Sequence, residues 1–180
     1  MIEIIQQNHP TLRKVAETVT EKDISSAKIK KVIQNMIIAL ASQDDGVAIA
    51  APQIDAPYRI FVVSHKVFEL TKRHKHATGK DMVFINPVIT KLSKDKKNLE
   101  EGCLSVRYLY GKVSRSHKAT VEALDENGLK FTMGASGLLA QIFQHEIDHL
   151  DGILYPMRIR DLRQFGFTAE LFPGEDISDD

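Results

Sequence analysis

The sequence lacks three features that would assign it to a class at once: paired cysteines, a net charge and long apolar runs. A single cysteine cannot form an internal disulfide, which indicates a reduced compartment. The 24 Lys and Arg residues balance the 24 Asp and Glu residues, which excludes a broadly cationic nucleic-acid binder and a polyanionic tail protein. No stretch approaches the roughly 18 consecutive apolar residues of a membrane span, and the amino terminus carries no secretion signal. We therefore expect a soluble, cytoplasmic protein with neither a membrane nor a specific DNA partner.

Length and composition are those of one globular domain. The chain has 180 residues, of which 43% are hydrophobic and 27% are charged. We expect the domain to span residues 1–165 and an acidic tail to follow over residues 166–180. A basic stretch over residues 65–80 stands out from the neutral chain. We interpret it as a solvated loop, with contact to RNA phosphates as the alternative.

The periodicity of apolar residues predicts a mixture of helices and strands. Apolar residues recur at spacings of three and four over residues 26–42, and a second helix is expected over residues 136–150. Short β-branched or aromatic runs over residues 58–63, 82–85 and 88–89 predict strands. A hairpin is predicted where two such runs, residues 119–123 and 129–133, flank an Asn-Gly pair.

The strongest chemical signal is the motif His145-Glu146-Ile147-Asp148-His149 inside the second predicted helix. At ~100° per residue, His145, Glu146 and His149 share an arc of about 100°, so both imidazoles can reach one ion. A glutamate buried beside two histidines would be costly without a compensating cation. The motif therefore predicts a metal site.

Two histidines leave a tetrahedral site incomplete, and two residues are candidates for the third ligand. Cys103 is the sole cysteine, and it lies in the segment EGCLS. Glu170 lies downstream, at a distance where some zinc peptidases place a carboxylate ligand. From the residues alone, both candidates remain open.

A run of small residues, GVAIAAPQ over positions 46–53, separates the first long helix from the first clear strand. It lacks the GKS ending of a phosphate-binding loop. Small side chains let a backbone edge lie close to a substrate, and Gln53 offers an amide donor. The alternative is a tightly packed loop without a role in binding.

Together, and in this order, the segments GVAIAAPQ, EGCLS and QHEIDH resemble the motifs of the peptide deformylase family. The resemblance implies an α+β fold with a central HExxH helix surrounded by antiparallel β-strands. It implies a metal-dependent hydrolase that removes the formyl group from N-terminal formyl-methionine and releases formate. Its metal ligands would be Cys103, His145 and His149.

The resemblance also implies roles for residues around the metal. Glu146 would be the general base and acid, while Gln53 and the backbone amide of Leu104 would face the oxyanion. The substrate would lie along Gly46, Val47 and Ala48.

The same resemblance implies the cofactor and the partners. The ion would be Fe²⁺ in the cell, with Zn²⁺, Ni²⁺ or Co²⁺ able to replace it in purified protein. The partners would be nascent formyl-Met polypeptides, with transient association with the ribosome.

One position departs from the family pattern: Ala48 stands where the motif has its second glycine. If the backbone there had positive φ, alanine would be strained by about 1 kcal/mol. Two alternatives follow from the residues: a peptidase that uses Glu170, and a relative that binds formyl-peptides without turnover.

Three further residues are candidates for support around the site. Asp148 and Gln144 would hold the ligands in place, with a surface position as the alternative for Asp148. Glu101 is expected to pair with Arg115 in a structural role.

Overall fold

The computed structural model describes residues 2–71 and 78–159. Four helices and seven strands make up its regular structure. The helices are α1 (Glu21–Ile24), α2 (Ala27–Ala41), α3 (His65–Leu70) and α4 (Leu138–Leu150). The strands are β1 (Ala48–Ala50), β2 (Ile60–Val63), β3 (Met82–Leu92), β4 (Lys96–Cys103), β5 (Val106–Ser116), β6 (Lys118–Leu124) and β7 (Lys130–Ser136). Short 3-10 helices cover Pro10–Arg13, Ala51–Ile54 and Tyr155–Arg158.

Five of the strands form one antiparallel sheet in the order β1-β2-β3-β6-β7, and β4 and β5 form a separate hairpin. Successive side chains of β2 point to opposite faces. Phe61 and Val63 pack in the apolar cluster of α4, whereas Ile60 and Val62 pack in the cluster of α2. The sheet is therefore covered by α2 on one face and by α4 on the other.

Helix α4 is buried along almost its whole length. Leu139, Phe143 and Leu150 are fully buried, and Phe143 packs edge-on against Phe84 of β3 with ring centroids 5.3 Å apart. A helix with so little solvent-facing surface belongs to the core. The expected α+β fold, with a central HExxH helix and antiparallel strands, is confirmed.

The predicted elements correspond to six of the observed ones: α2, α4, β2, β3, β6 and β7. Helix α2 begins after Ser26, whose hydroxyl accepts a hydrogen bond from the Ile29 N–H at 3.2 Å. The predicted β6–β7 hairpin is present. Its turn is closed by Asp125, which accepts from the backbone of Asn127 and Leu129. The two short runs over residues 82–85 and 88–89 belong to one strand, β3, which contains an irregularity between Ile85 and Val88.

The interpretation of residues 65–80 as a loop is wrong for its first part. Residues 65–70 form α3, which buries Val67 and Phe68 in the cluster of α4. Residues 72–77 lie outside the described residues, as do residues 160–180. The expected acidic tail therefore stays a prediction. In the part of the chain that is described, no helix is long and apolar enough to cross a membrane.

Candidate metal centre

Helix α4 carries three of the predicted site residues. His145 and His149 stand one turn apart with ring centroids at 4.9 Å, and Glu146 lies between them in sequence. Glu146 and His149 are both buried. The spacing of four residues is what places the two imidazoles on one side of the helix.

Cys103 approaches the same point from the end of β4. Its Sγ lies 3.2 Å from Nε2 of His149, and the potential ligand atoms of Cys103, His145 and His149 all lie within 4.8 Å of one another. Within the described ranges, this is the cluster of His, Cys, Asp and Glu side chains that could hold an ion. Glu170 lies outside those ranges.

Glu101 orients the first histidine. Nδ1 of His145 donates to Oε2 of Glu101 at 2.9 Å, which leaves Nε2 to face the centre. Glu101 is two residues from Cys103 near the end of β4, where the pairing with β5 is irregular. Both side chains reach α4, Glu101 at His145 and Cys103 at His149. That spacing is a sequence signal for a role of Glu101 at the metal centre, and we missed it because we predicted Glu101 only as the partner of Arg115.

Arg115 holds Glu101 in a buried, bidentate pair. Nε and Nη2 of Arg115 donate to the two Glu101 oxygens at 2.7 and 2.9 Å. Burial alone would raise the pKa of Glu101, but its bonds to Arg115 and His145 outweigh burial and lower the pKa to about 2. The predicted pair is present, and it also secures an ionised acceptor for His145.

Asp148 extends this network and is not a surface residue. Its carboxylate accepts from Arg115 Nη1 at 2.6 Å and from Arg158 Nη2 at 2.7 Å. Gln144 makes different contacts, since its amide accepts from the Ser116 N–H at 3.0 Å and donates to the Ser116 carbonyl at 2.9 Å. Both side chains therefore attach α4 to the end of β5.

The pKa shifts within the cluster differ from one residue to the next. Burial lowers the pKa of His145, but its interactions with Cys103 and Glu101 prevail and hold that pKa well above its usual range. Burial lowers the pKa of His149 well below its usual range, and the neighbouring charge of His145 adds to this. Burial also raises the pKa of Glu146 to about 7.

Two buried polar atoms of these residues have no hydrogen-bond partner among the described residues: Oε2 of Glu146 and Nδ1 of His149. One thiolate and two imidazoles form the kind of donor set that binds zinc or iron(II). Three protein ligands leave a fourth position for water or substrate. The residues present therefore fit a catalytic metal ion.

Gln53 turns its amide NH₂ toward the sulfur of Cys103. Its Oε1 accepts from the Ala50 N–H at 2.8 Å, which fixes the orientation of the amide. Nε2 lies 3.1 Å from Ser105 Oγ and 3.6 Å from Cys103 Sγ. Leu104 follows Cys103 in the turn between β4 and β5. Together with Gln53 and Cys103 it lines a cavity next to these residues.

A cavity of about 320 Å³ opens next to the centre. Gly46, Val47 and Ala48 lie on one wall, and the β4–β5 hairpin contributes much of the wall that includes Cys103. Strand β1 is at the edge of its sheet, because it pairs only with β2 in the described residues. An extended peptide can therefore add to this edge as a further strand.

The departure at Ala48 introduces no backbone strain. Among the described residues other than glycine, only Asp55 and Asn86 have positive φ. Gly46 has a packing reason of its own, since a Cβ there would lie 2.9 Å from Leu40 Cδ1. Ala48 is thus accommodated as an ordinary strand residue.

Comparison with known proteins gives one consistent result. The chain matches the family described as Polypeptide deformylase over residues 1–165. It is 35% identical over 178 residues to peptide deformylase 1 of Nitrosomonas europaea, with 98% of each chain covered. The peptide deformylase structure from Thermotoga maritima superposes with a TM-score of 0.75 at 32% identity, over 88% of this chain and 97% of that chain.

A second solved structure is of a type b class I peptide deformylase from Acinetobacter baumannii with Met-Ala-Ser bound. It superposes with a TM-score of 0.75 at 28% identity, over 88% of this chain and 98% of that chain. The matched region of this chain includes the three segments that surround the cavity.

Proposed function

The chain belongs to the peptide deformylase family, and from that premise we propose that Cys103, His145 and His149 hold its metal ion and Glu146 moves the proton. As a metal-dependent hydrolase it removes the formyl group from the amino terminus of nascent proteins. The observation that carries the site assignment is the convergence of three ligand atoms within 4.8 Å beside a buried carboxylate.

We propose Fe²⁺ as the ion in the cell, with Zn²⁺, Ni²⁺ or Co²⁺ able to take its place in purified protein. A bound divalent ion would polarise the formyl carbonyl and lower the pKa of a water molecule toward neutrality. A thiolate ligand is open to oxidation when the metal is iron. Activity should then fall in air and recover with Ni²⁺ or Co²⁺. Full activity and full iron content after purification in air would contradict Fe²⁺.

Glu146 is the proton carrier in this proposal. Its carboxylate accepts a proton from the attacking water as the new C–O bond forms at the formyl carbon. It then delivers that proton to the departing amine nitrogen as the C–N bond breaks, which yields formate and a free amino terminus. A pKa raised by burial to about 7 suits both steps, because a group that must accept and return a proton works best near the ambient pH.

Gln53 and the Leu104 backbone amide stabilise the oxyanion. The Gln53 amide is held by Ala50 with its NH₂ directed toward Cys103, so it needs no reorganisation during the reaction. One donor of this kind typically contributes ~3 kcal/mol to the transition state.

The substrate would lie along Gly46, Val47 and Ala48 as an added strand on the edge of β1. The Acinetobacter baumannii relative binds Met-Ala-Ser, and a peptide of this kind is the product that deformylation would leave here. Nascent polypeptides emerge at ribosomes, so we propose transient ribosome association and a cytoplasmic location.

The test is formate release from formyl-Met-Ala-Ser by metal-replete protein, with acetyl-Met-Ala-Ser and an internally cleavable peptide as controls. We expect formate from the formylated peptide alone. Cleavage of an internal peptide bond would favour the peptidase alternative with Glu170. Tight binding of the formyl-peptide without formate would favour a relative that lacks turnover.

A further inference from the structure

A cluster of exposed lysines lies around the turn between β3 and β4, away from the cavity. We call it the β3–β4 lysine patch. Its members are Lys91, Lys94, Lys96, Lys97 and Lys118. None of them takes part in the ion pairs found within the described ranges, although Asp95 lies in the same turn. The whole chain has zero net charge, so the patch is a local excess of positive charge.

Part of the patch borders a shallow groove of about 380 Å³, which is lined by residues of β3, β6 and β7 and by the residue that follows β3. Lys91 is opposite Thr120, and Lys118 is two residues before Thr120 on β6. Diagonal neighbours of this kind have Cα atoms roughly 7–8 Å apart. The groove runs past Gly134, which has no side chain to fill it, and Ser136 is opposite Lys118.

We propose that the β3–β4 lysine patch binds the phosphate backbone of folded RNA. Lysine ammonium groups without an ion-pair partner, next to the hydroxyl groups of the groove, are suited to bind phosphate oxygens. Such contacts with phosphates do not distinguish one base sequence from another. An anionic membrane is a poorer fit, because the large apolar side chains exposed on β3 near these lysines are only Leu92 and Val88 in the described chain. The choice of RNA over an acidic protein rests on the proposed function, since nascent chains emerge from the ribosome, whose surface is rich in RNA.

The patch and the cavity are at opposite ends of one strand. Lys96 and Cys103 are the two ends of β4, seven residue steps or roughly 23 Å apart. None of the five lysines lines the cavity. The enzyme can therefore bind RNA through the turn while its active site stays open to a peptide.

The test compares the wild type with a variant in which four patch lysines are replaced by glutamine. The four changes are Lys91→Gln, Lys94→Gln, Lys96→Gln and Lys118→Gln. The probe is a fluorescein-labelled RNA duplex of about 20 base pairs, titrated by anisotropy between about 50 and 200 mM KCl. We expect the affinity for RNA at about 100 mM KCl to fall at least tenfold. We expect the salt dependence to weaken, with the magnitude of the slope of log K against log salt concentration smaller by about 3 to 4.

A matched control removes the same charge from four exposed lysines outside the patch. Its changes are Lys14→Gln, Lys22→Gln, Lys30→Gln and Lys31→Gln. We expect this control to bind the RNA within twofold of the wild type, and a Lys→Arg variant at the four patch positions to retain binding. Equal losses in both glutamine variants would overturn the proposal, because net charge alone would then explain binding. So would wild-type affinity in the patch variant.

Two further measurements separate this proposal from its rivals. Formate release from free formyl-Met-Ala-Ser should be unchanged in all variants, whereas its absence in the wild type would count against the proposed function and not against the patch. Sedimentation with phosphatidylglycerol vesicles should show no patch-dependent binding. Vesicle binding as strong as RNA binding, and lost in the patch variant, would assign the surface to a membrane instead.

Discussion

The candidate metal centre is built from two regions of different character, helix α4 and the β4–β5 hairpin. Helix α4 is deeply buried and supplies His145, Glu146 and His149 within five consecutive residues. The hairpin is exposed over most of β4 and becomes buried near its end, where Glu101 lies just before Cys103. The helix side of the site is therefore set by local geometry, whereas the hairpin side depends on how two elements are held together.

Buried charges hold the hairpin against the helix. Arg115 of β5 bonds to both Glu101 and Asp148, and Glu101 bonds to His145. A buried ion pair gains little net stability, because desolvation offsets most of the attraction. Its value here is positional, since it fixes the distance between the thiol of one region and the imidazoles of the other.

Removing Cys103, the ligand that we propose on the hairpin, should have the largest effect. We expect Cys103→Ala to lose most of the bound metal and nearly all formate release, while Glu170→Ala keeps both. Metal analysis of anaerobically purified protein measures this. A metal-edge absorption spectrum of the wild type without a sulfur scatterer near 2.3 Å, about the metal–thiolate distance, would reject Cys103 as a ligand.

On the helix side, Glu146→Gln should separate chemistry from metal binding. We expect metal content to stay at the wild-type level and kcat to fall by about 10²–10⁴, because the amide cannot accept a proton. Asp151→Asn, at the end of the same helix, is the control and should change kcat little. Wild-type turnover by metal-replete Glu146→Gln protein would remove Glu146 from the mechanism.

The link between the two regions can be tested with a pair of variants. Glu101→Gln should weaken metal affinity by about 10–100-fold, because it replaces the charged acceptor of His145. Asp148→Asn also weakens a buried bond to Arg115, but it does not touch His145. We expect Asp148→Asn to lower the free energy of unfolding but to lose less metal affinity than Glu101→Gln. Equal losses of affinity in the two variants would show that Glu101 acts only through general stability.

The smallest effect is expected at Ala48, on the wall that is neither helix α4 nor the hairpin. Since no positive φ requires glycine there, Ala48→Gly should change kcat/KM by less than about threefold. Glycine within a strand should cost roughly 0.5–1 kcal/mol in unfolding free energy. A tenfold change in kcat/KM at equal metal occupancy would show that the methyl group affects the bound peptide.

Much of the fold was predictable where one face of an element is buried. Helix α2 and the β6–β7 hairpin show clear periodicity, and both were predicted. Strand β4 was missed because most of its residues are charged and exposed, so apolar and polar residues do not alternate. Helix α3 was missed because it has six residues and lies in a stretch rich in lysine and histidine.

The sequence by itself determined the side of the centre that lies on α4, because a spacing of four residues within a helix places two imidazoles together whatever surrounds them. It also supplied a sulfur and a carboxylate two residues apart, Cys103 and Glu101, but not the strand that carries them. Only the tertiary structure decided that this strand meets α4, that Glu101 bonds to His145, and that Asp148 is buried between two arginines. The physical reason is that these contacts join residues more than 30 positions apart or depend on burial, and neither leaves a local periodicity in the sequence.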